Sequence, residues 1–199
     1  MAAALRTFEV MPLEGEARFG SPAGGRPWIA VLGVGRLGLL IAAVAQALGA
    51  RVIGLARTER SLERAAAYCE ALVRADDEER AIRQVKTRTE GLGADIVVEA
   101  TGSPAGLPLA CRLVRPRGSV ALKSTPGLPA DGLNPTQLAV DEIRLQGSRC
   151  GPFDKAIRFL AEKRLDCEAL ATAVFPLAQA EQAILAAMHE PKALIRCRS

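Results

Sequence analysis

The sequence is short of aromatic residues and has no block of basic charge. Aromatic side chains make up 4% of the 199 residues, and 26 lysines and arginines are interspersed with 22 acids to give a net charge of +4. Proteins that bind nucleic acids concentrate basic residues on one face and stack bases on aromatic rings. These absences argue against a nucleic-acid partner.

Cysteine pairs with the spacing of a metal knuckle or a disulfide framework are absent as well. The number of cysteines is odd, and no two of them form a C-x-x-C pair: Cys69, Cys111, Cys150, Cys167 and Cys197. We therefore expect isolated buried thiols.

Two common catalytic signatures are missing. The only tyrosine, Tyr68, has Leu72 at the spacing where a short-chain reductase needs a lysine. A G-x-S-x-G nucleophile elbow does not occur in the sequence either.

Long apolar runs are missing too. Glu9 and Glu14 interrupt the N-terminal segment, so it lacks the apolar core of a signal peptide. No stretch reaches the roughly 18 uncharged apolar residues that span a bilayer. We expect a soluble cytoplasmic protein without membrane contact.

What the sequence does have is a regular alternation of apolar strands and helices from Trp28 onward. The predicted strands are 28–33, 51–56, 71–73, 94–100, 118–123, 142–149, 171–177 and 192–197. A short helix before Pro12 precedes the predicted helices 36–48, 59–72, 78–90, 103–114, 153–164 and 177–189, with a Pro/Gly-rich loop at 124–136. This alternation predicts an α/β fold with a doubly wound parallel sheet, the three-layer α/β/α Rossmann architecture.

A glycine fingerprint follows the first predicted strand. Gly33, Gly35 and Gly38 form G-x-G-x-x-G between a strand and a helix, with a second strand at βαβ distance. The first glycine permits the tight turn, the second lets a pyrophosphate approach the backbone, and the third lets the helix press on the strand. The motif predicts a dinucleotide whose phosphates lie at the N-terminus of the helix; the alternative is a glycine-rich turn without a ligand.

The end of the second strand lacks the acid that holds the ribose hydroxyls of NAD. Ala56 stands there, followed by Arg57, with Arg60 one turn further on. A missing acid removes repulsion against a 2′-phosphate, and a guanidinium can hold that phosphate bidentately. This pattern favours NADP(H) over NAD(H); the alternative is that Arg57 is a solvated charge at a helix start.

Four ordered segments resemble the medium-chain dehydrogenase/reductase superfamily, and its zinc-type alcohol dehydrogenase-like members in particular. They are "VLGVGRLGLLIAAVAQALGARVIG", "GADIVVEATGSP", "RPRGSVALKST" and "DEIRLQGSRCGPF". The resemblance covers roughly residues 28 to 198 and implies the cofactor-binding domain of such an enzyme.

The resemblance implies binding roles at the carboxyl ends of the strands. Gly33, Gly35, Arg36, Leu37 and Gly38 would cradle the pyrophosphate, and Arg57 would meet the adenosine ribose. Thr101 and Gly102 would pass beside the adenosine and ribose. Lys123 and Ser124, followed by Thr125, would approach the nicotinamide. The alternatives are turn and cap chemistry for Thr101 and Ser124 and a surface ammonium for Lys123.

The resemblance also sets limits, because such enzymes carry an N-terminal catalytic barrel that supplies the zinc ligands. We expect residues 1–27 to be a hinge helix and loop, 28–166 the dinucleotide-binding domain, and 167–199 a strand–helix–strand extension that would pack on the barrel. The sole histidine, His189, and dispersed cysteines do not readily make a three-ligand zinc site. We therefore expect no zinc and no catalytic residue in this chain.

These observations leave three hypotheses for function. The first is the coenzyme domain of a zinc-type, NADP-linked alcohol or polyol dehydrogenase that depends on a catalytic barrel, in the same or in a separate subunit. It would form homodimers through the apolar edges of "ATAVFPL" and "KALIRC" or through the sheet edge "IRLQGSR". The second is a non-catalytic NADP(H)-binding sensor or partner module. The third is a complete reductase that uses Lys123 or a bound water in place of zinc.

Overall fold

The computed structural model describes residues 1–13, 25–162, 173–188 and 193–197. The chain divides into two compact units, Met1–Ala156 and Ile157–Ser199. The predicted boundary between residues 166 and 167 lies outside the described residues, as do Cys167 and His189.

The first unit is built on a six-stranded parallel sheet of order β3-β2-β1-β4-β5-β6. The strands are β1 (Trp28–Leu32), β2 (Arg51–Ala56), β3 (Ala71–Arg74), β4 (Ala94–Glu99), β5 (Val114–Leu122) and β6 (Arg144–Gly147). The strand order reverses between β1 and β4, and ligands of doubly wound sheets bind in the crevice at this point. The predicted parallel α/β fold is confirmed.

Helices cover both faces of this sheet, which is why the central strands are continuously apolar. The helices of this unit are α1 (Ala2–Val10), α2 (Arg36–Ala47), α3 (Glu59–Ala65), α4 (Glu78–Arg88), α5 (Gly106–Leu113) and α6 (Pro135–Val140). A further helix, α7 (Phe153–Ala161), begins in the first unit and ends in the second. Helix α2 packs against α1 and α3, while α4 and α5 pack together. Right-handed crossovers place these two groups on opposite faces.

Helix α5 begins later than the sequence predicts. Ser103 was expected to cap a helix starting at Pro104, but the helix starts at Gly106, and Ala105 precedes it without a side-chain cap. The Ser103 N–H donates to Thr101 Oγ1 at 3.0 Å, and its carbonyl accepts the Gly106 N–H at 3.0 Å. These bonds form a separate turn that delays the helix.

Strand β5 begins earlier than predicted. It starts at Val114, which pairs with Ala94, whereas residue 118 was expected. The register then shifts before Ile96 pairs with Ser119, and Arg117 adopts a φ of 58° within the irregular stretch. The extra residues at this bulge explain why the sequence pattern looked interrupted.

Two further boundaries were wrong. Helix α3 ends at Ala65 and is followed by a 3₁₀ turn at Ala66–Tyr68, so the predicted helix 59–72 was too long. Helix α6 was missed, because its start falls in the predicted loop 124–136. The Asn134 side chain caps α6 by accepting the N–H groups of Thr136 and Gln137.

The second unit contains a strand–helix–strand arrangement. Strands β7 (Ala173–Pro176) and β8 (Ala193–Arg196) pair in parallel, and a 3₁₀ turn (Leu177–Gln179) leads into helix α8 (Ala180–Ala186). Several large apolar side chains are exposed here, namely Val174, Leu177, Ile184, Leu185 and Met188. Packing of this segment on a catalytic barrel stays a prediction.

None of the helices in the described ranges is both long enough and apolar enough to cross a membrane.

Candidate dinucleotide-binding site

The glycine fingerprint forms a tight turn at the switch point of the sheet. Gly33 has a φ of 96°, and a Cβ there would lie 2.9 Å from the backbone of Ala100 and Thr101 at the end of β4. A Cβ on Gly38 would overlap the Gly33 carbonyl oxygen and approach Val31 Cγ1 to 3.3 Å. Both positions therefore exclude any side chain, as the motif predicts.

Gly35 differs, because it faces open space. No heavy atom lies within 4 Å of where its Cβ would stand, and its φ of −79° is open to any residue. It precedes α2, which has no side-chain cap and no acid in its first turn. The N–H groups of a helix's first turn have no partner within the helix, so they and the positive end of the helix dipole could bind a diphosphate in this space.

The end of β2 presents one free guanidinium. Arg57 is exposed and makes no hydrogen bond or ion pair with any residue in the part of the chain that the structure describes. Ala56 pairs in register with Arg74 of β3. The nearby acids are already paired, since Arg74 contacts Glu59 at 3.5 Å and Asp76 at 2.9 Å.

A buried carboxylate that sequence analysis missed joins the loops after β4 and β5. Glu99 is only 3% exposed. Its Oε1 accepts the Thr101 N–H at 2.8 Å and the Thr101 hydroxyl at 2.5 Å, and its Oε2 accepts the Ser124 hydroxyl. The sequence signal was an acid at the end of the apolar run Ile96–Val98, but the importance of Glu99 depends on its contact with Ser124, 25 residues further along the chain.

In this structure the Lys123 side chain binds the loop that follows β6. Its ammonium donates to the Ser148 carbonyl at 3.1 Å, the Ser148 hydroxyl at 2.9 Å and the Arg149 carbonyl at 2.9 Å. Burial lowers the pKa of this ammonium, Cys150 opposes that effect, and repulsion from Arg6 adds to it. The three bonds use all three ammonium hydrogens, so a contact with nicotinamide stays a prediction.

All the predicted binding residues lie at one edge of the sheet. The three motif glycines lie after β1, together with exposed Arg36 and half-buried Leu37. Arg57 follows β2, Thr101 and Gly102 follow β4, and Lys123 and Ser124 follow β5. The structure therefore brings the predicted residues together at one edge, and their binding roles stay predictions; Glu99 lies at the same edge and was not singled out from the sequence.

A separate cavity of about 450 Å³ lies at the opposite, amino-terminal edge. Four of its charged side chains form two pairs: Arg51 binds Glu70 at 2.7 Å and lies 3.8 Å from the Trp28 ring centroid, while Arg115 and Asp95 form a buried ion pair at 2.9 Å. We interpret these contacts as structural, because they satisfy one another without a ligand.

Comparison with known proteins identifies the family. The model of the zinc-binding dehydrogenase family matches residues 37–162, which is more than half of the chain. The chain belongs to the zinc-binding dehydrogenase family. It corresponds to the C-terminal cofactor-binding domain of these enzymes, as the resemblance implied.

Individual relatives agree with this assignment. The chain is 32% identical to a sorbitol dehydrogenase of Bacillus subtilis over 81% of its own length and 46% of that protein. It is 29% identical to D-xylulose reductase A of Aspergillus oryzae, over 83% and 47% respectively. The alcohol dehydrogenase TADH from Thermus sp. ATN1 superposes with a TM-score of 0.82 at 28% identity, covering 97% of this chain and 55% of that one.

The chain thus spans about half the length of the curated relatives it matches. These relatives are named as dehydrogenases and reductases, so the comparisons give no support to the sensor hypothesis.

The family name implies zinc, but the described residues do not offer a ligand set for it. No group of three or more His, Cys, Asp or Glu side chains lies close enough to hold a metal ion within these residues. The described residues therefore do not by themselves fit a catalytic zinc ion.

Proposed function

We propose that this chain is the NADP(H)-binding domain of a zinc-type alcohol dehydrogenase-like oxidoreductase. Its part in the reaction is to hold and orient the pyridine dinucleotide. Hydride transfer to or from an alcohol would need the zinc ligands and proton relay of a catalytic domain.

The observation that carries this proposal is the open space at Gly35. A glycine with no neighbours at its Cβ position, at the uncapped start of α2, is the arrangement that a diphosphate needs for close approach. Gly33 and Gly38 support it, because a side chain at either position would collide with the backbone that forms the turn.

Preference for NADP(H) is supported by the charge at the end of β2. Arg57 is exposed and free to bind a 2′-phosphate, and Ala56 cannot repel it. Arg74, beside Ala56 in the sheet, has a buried Nε without a hydrogen-bond partner among the described residues. Its other nitrogens pair with acids, so Arg57 is the principal phosphate ligand in this proposal.

We expect Arg57→Ala to weaken NADPH binding by about ten- to hundredfold and to leave NADH binding almost unchanged. The loss of one charge-assisted hydrogen bond accounts for this range. Calorimetric or fluorescence titration with each cofactor measures it. Arg83→Ala, which removes an exposed arginine from α4, is the matched control and should change neither affinity.

Equal losses for NADPH and NADH in Arg57→Ala would show that the arginine does not read the 2′-phosphate. Tighter binding of NADH than of NADPH by the unmodified chain would also contradict the preference.

We further propose that the chain forms a homodimer through β6. This edge strand is exposed along its whole length, from Arg144 to Gly147. An uncovered edge presents unpaired backbone groups that a second copy can complete.

A further inference from the structure

We propose that Glu99 is a positioning residue for the nicotinamide half of the bound dinucleotide. It fixes the loops after β4 and β5 to each other and orients the hydroxyl groups of Thr101 and Ser124 as hydrogen-bond acceptors toward the ligand. This inference rests on the proposed dinucleotide binding.

The position of Glu99 follows from the order of the strands. The diphosphate site is at the end of β1, and the proposed 2′-phosphate contact is at the end of β2. A dinucleotide lying across the switch point must extend its other half over the ends of β4 and β5. Thr101 and Ser124 stand at these two ends, and Glu99 lies beneath both. The proposal therefore moves Thr101 from the adenosine half, where the family resemblance placed it, to the nicotinamide half.

The hydrogen bonds make Glu99 the link between the two loops. Three donors converge on its two oxygens: the N–H and hydroxyl of Thr101, and the hydroxyl of Ser124. A carboxylate only accepts hydrogen bonds, so it dictates which way each hydroxyl proton points. Charge-assisted bonds of this kind are short and strong.

The surroundings of Glu99 are adapted to keep this carboxylate buried. Gly106 begins α5, and a Cβ there would overlap both Glu99 Oε1 and Thr101 Oγ1. The glycine therefore makes room for the contact, while the first turn of α5 brings its positive dipole end close to the carboxylate.

The orientation of the hydroxyls has a consequence for the ligand. Because the hydroxyl protons of Thr101 and Ser124 point to Glu99, each oxygen can offer only lone pairs on its other side. Thr101 Oγ1 already accepts the Ser103 N–H at 3.0 Å. Ribose hydroxyls and a carboxamide N–H can donate to such oxygens, whereas phosphate oxygens cannot.

The test is Glu99→Gln, which keeps the size of the side chain but puts donors where an acceptor oxygen was. Calorimetric titrations use NADPH, which fills both halves of the site, and 2′,5′-ADP, which fills only the adenosine half. We expect about a tenfold loss of affinity for NADPH and no change for 2′,5′-ADP. Ser124→Ala should reproduce this pattern, and it decides the question if Glu99→Gln does not fold.

Asp95→Asn is the matched control. Asp95 lies at the opposite end of β4, is also buried (8% exposed), and accepts from Arg115 and from the Trp28 N–H. This variant should lower the melting temperature while leaving both affinities unchanged.

An unchanged affinity for NADPH in Glu99→Gln, or equal losses for NADPH and 2′,5′-ADP, would overturn the positioning role. If the unmodified chain binds neither ligand, the proposed function is itself wrong and this inference falls with it.

Discussion

At the scale of single residues, the four cysteines that the structure describes fall into two classes, and the expectation of buried thiols is wrong for the two exposed ones. Burial raises the pKa of the Cys69 thiol to about 12 and raises that of Cys111 as well, whereas Cys150 and Cys197 are exposed. Because the thiolate is the reactive form, these classes should differ in reactivity.

We expect a maleimide at pH 8 to label Cys150 and Cys197 in the native protein and to reach Cys69 and Cys111 only after denaturation. Peptide mapping by mass spectrometry measures the labelling of each cysteine separately.

The free energy of unfolding should depend on pH, because the pKa of Cys69 is raised in the folded state. The stability that its protonated thiol contributes is complete below pH 9 and is lost as the pH rises from 9 toward 12.

The loss of stability between pH 8 and pH 10.5, measured by urea unfolding, should therefore be larger for the unmodified protein than for Cys69→Ala.

In the labelling experiment, native Cys69 that reacts as fast as Cys150 would contradict this account of its burial.

Residues also differ in how far the sequence could predict them. The need for glycine at Gly33 and Gly38 could be predicted, because the spacing of the motif specifies the tight turn between β1 and α2. Glu99 could not, because its partner Ser124 comes from the next strand and only the folded sheet brings the two together. The three hydrogen bonds of Lys123 could not be predicted from the sequence for the same reason, because their acceptors in Ser148 and Arg149 follow β6.

At the scale of elements, substitutions in the turn between β1 and α2 can distinguish an effect on packing from an effect on ligand binding. We expect Gly38→Ala to lower the free energy of unfolding by about 1–3 kcal/mol, because the new methyl group overlaps the Gly33 carbonyl and the backbone must move. Gly35→Ala should unfold at nearly the same urea concentration as the unmodified protein. Equal destabilisation by both substitutions would refute this distinction.

Element boundaries were predictable where the hydrophobic pattern was unbroken. The central strands β1, β2 and β4 and helices α2 and α4 follow runs that the sequence displays directly. The start of β5 was not predictable, since the bulge at Arg117 and the buried Asp95–Arg115 ion pair depend on the neighbouring strand. The start of α5 was misjudged because Ser103 forms a separate turn, in which its N–H donates to Thr101 Oγ1 and its carbonyl accepts the Gly106 N–H.

At the scale of the whole molecule, the exposed β6 edge predicts self-association. Leu145, which is 38% exposed, lies in the middle of this strand. Leu145→Lys would set like charges against each other across a symmetric edge contact and should convert dimers to monomers. Arg144→Lys, which keeps the charge of the strand, should remain dimeric.

Size-exclusion chromatography with light scattering gives the mass of each variant. A monomeric unmodified chain at high concentration, or a Leu145→Lys variant that is still dimeric, would show that β6 is not the interface.

The central claim is that the glycine turn holds the diphosphate of a pyridine dinucleotide against the start of α2. Isothermal titration of the purified chain with NADPH and NADH, beside the Gly35→Ala variant, tests this claim most directly. We predict saturable binding by the unmodified chain and at least about a tenfold loss in the variant, whose new methyl group occupies the diphosphate space. No heat with either cofactor, or equal binding by the variant, would contradict the account.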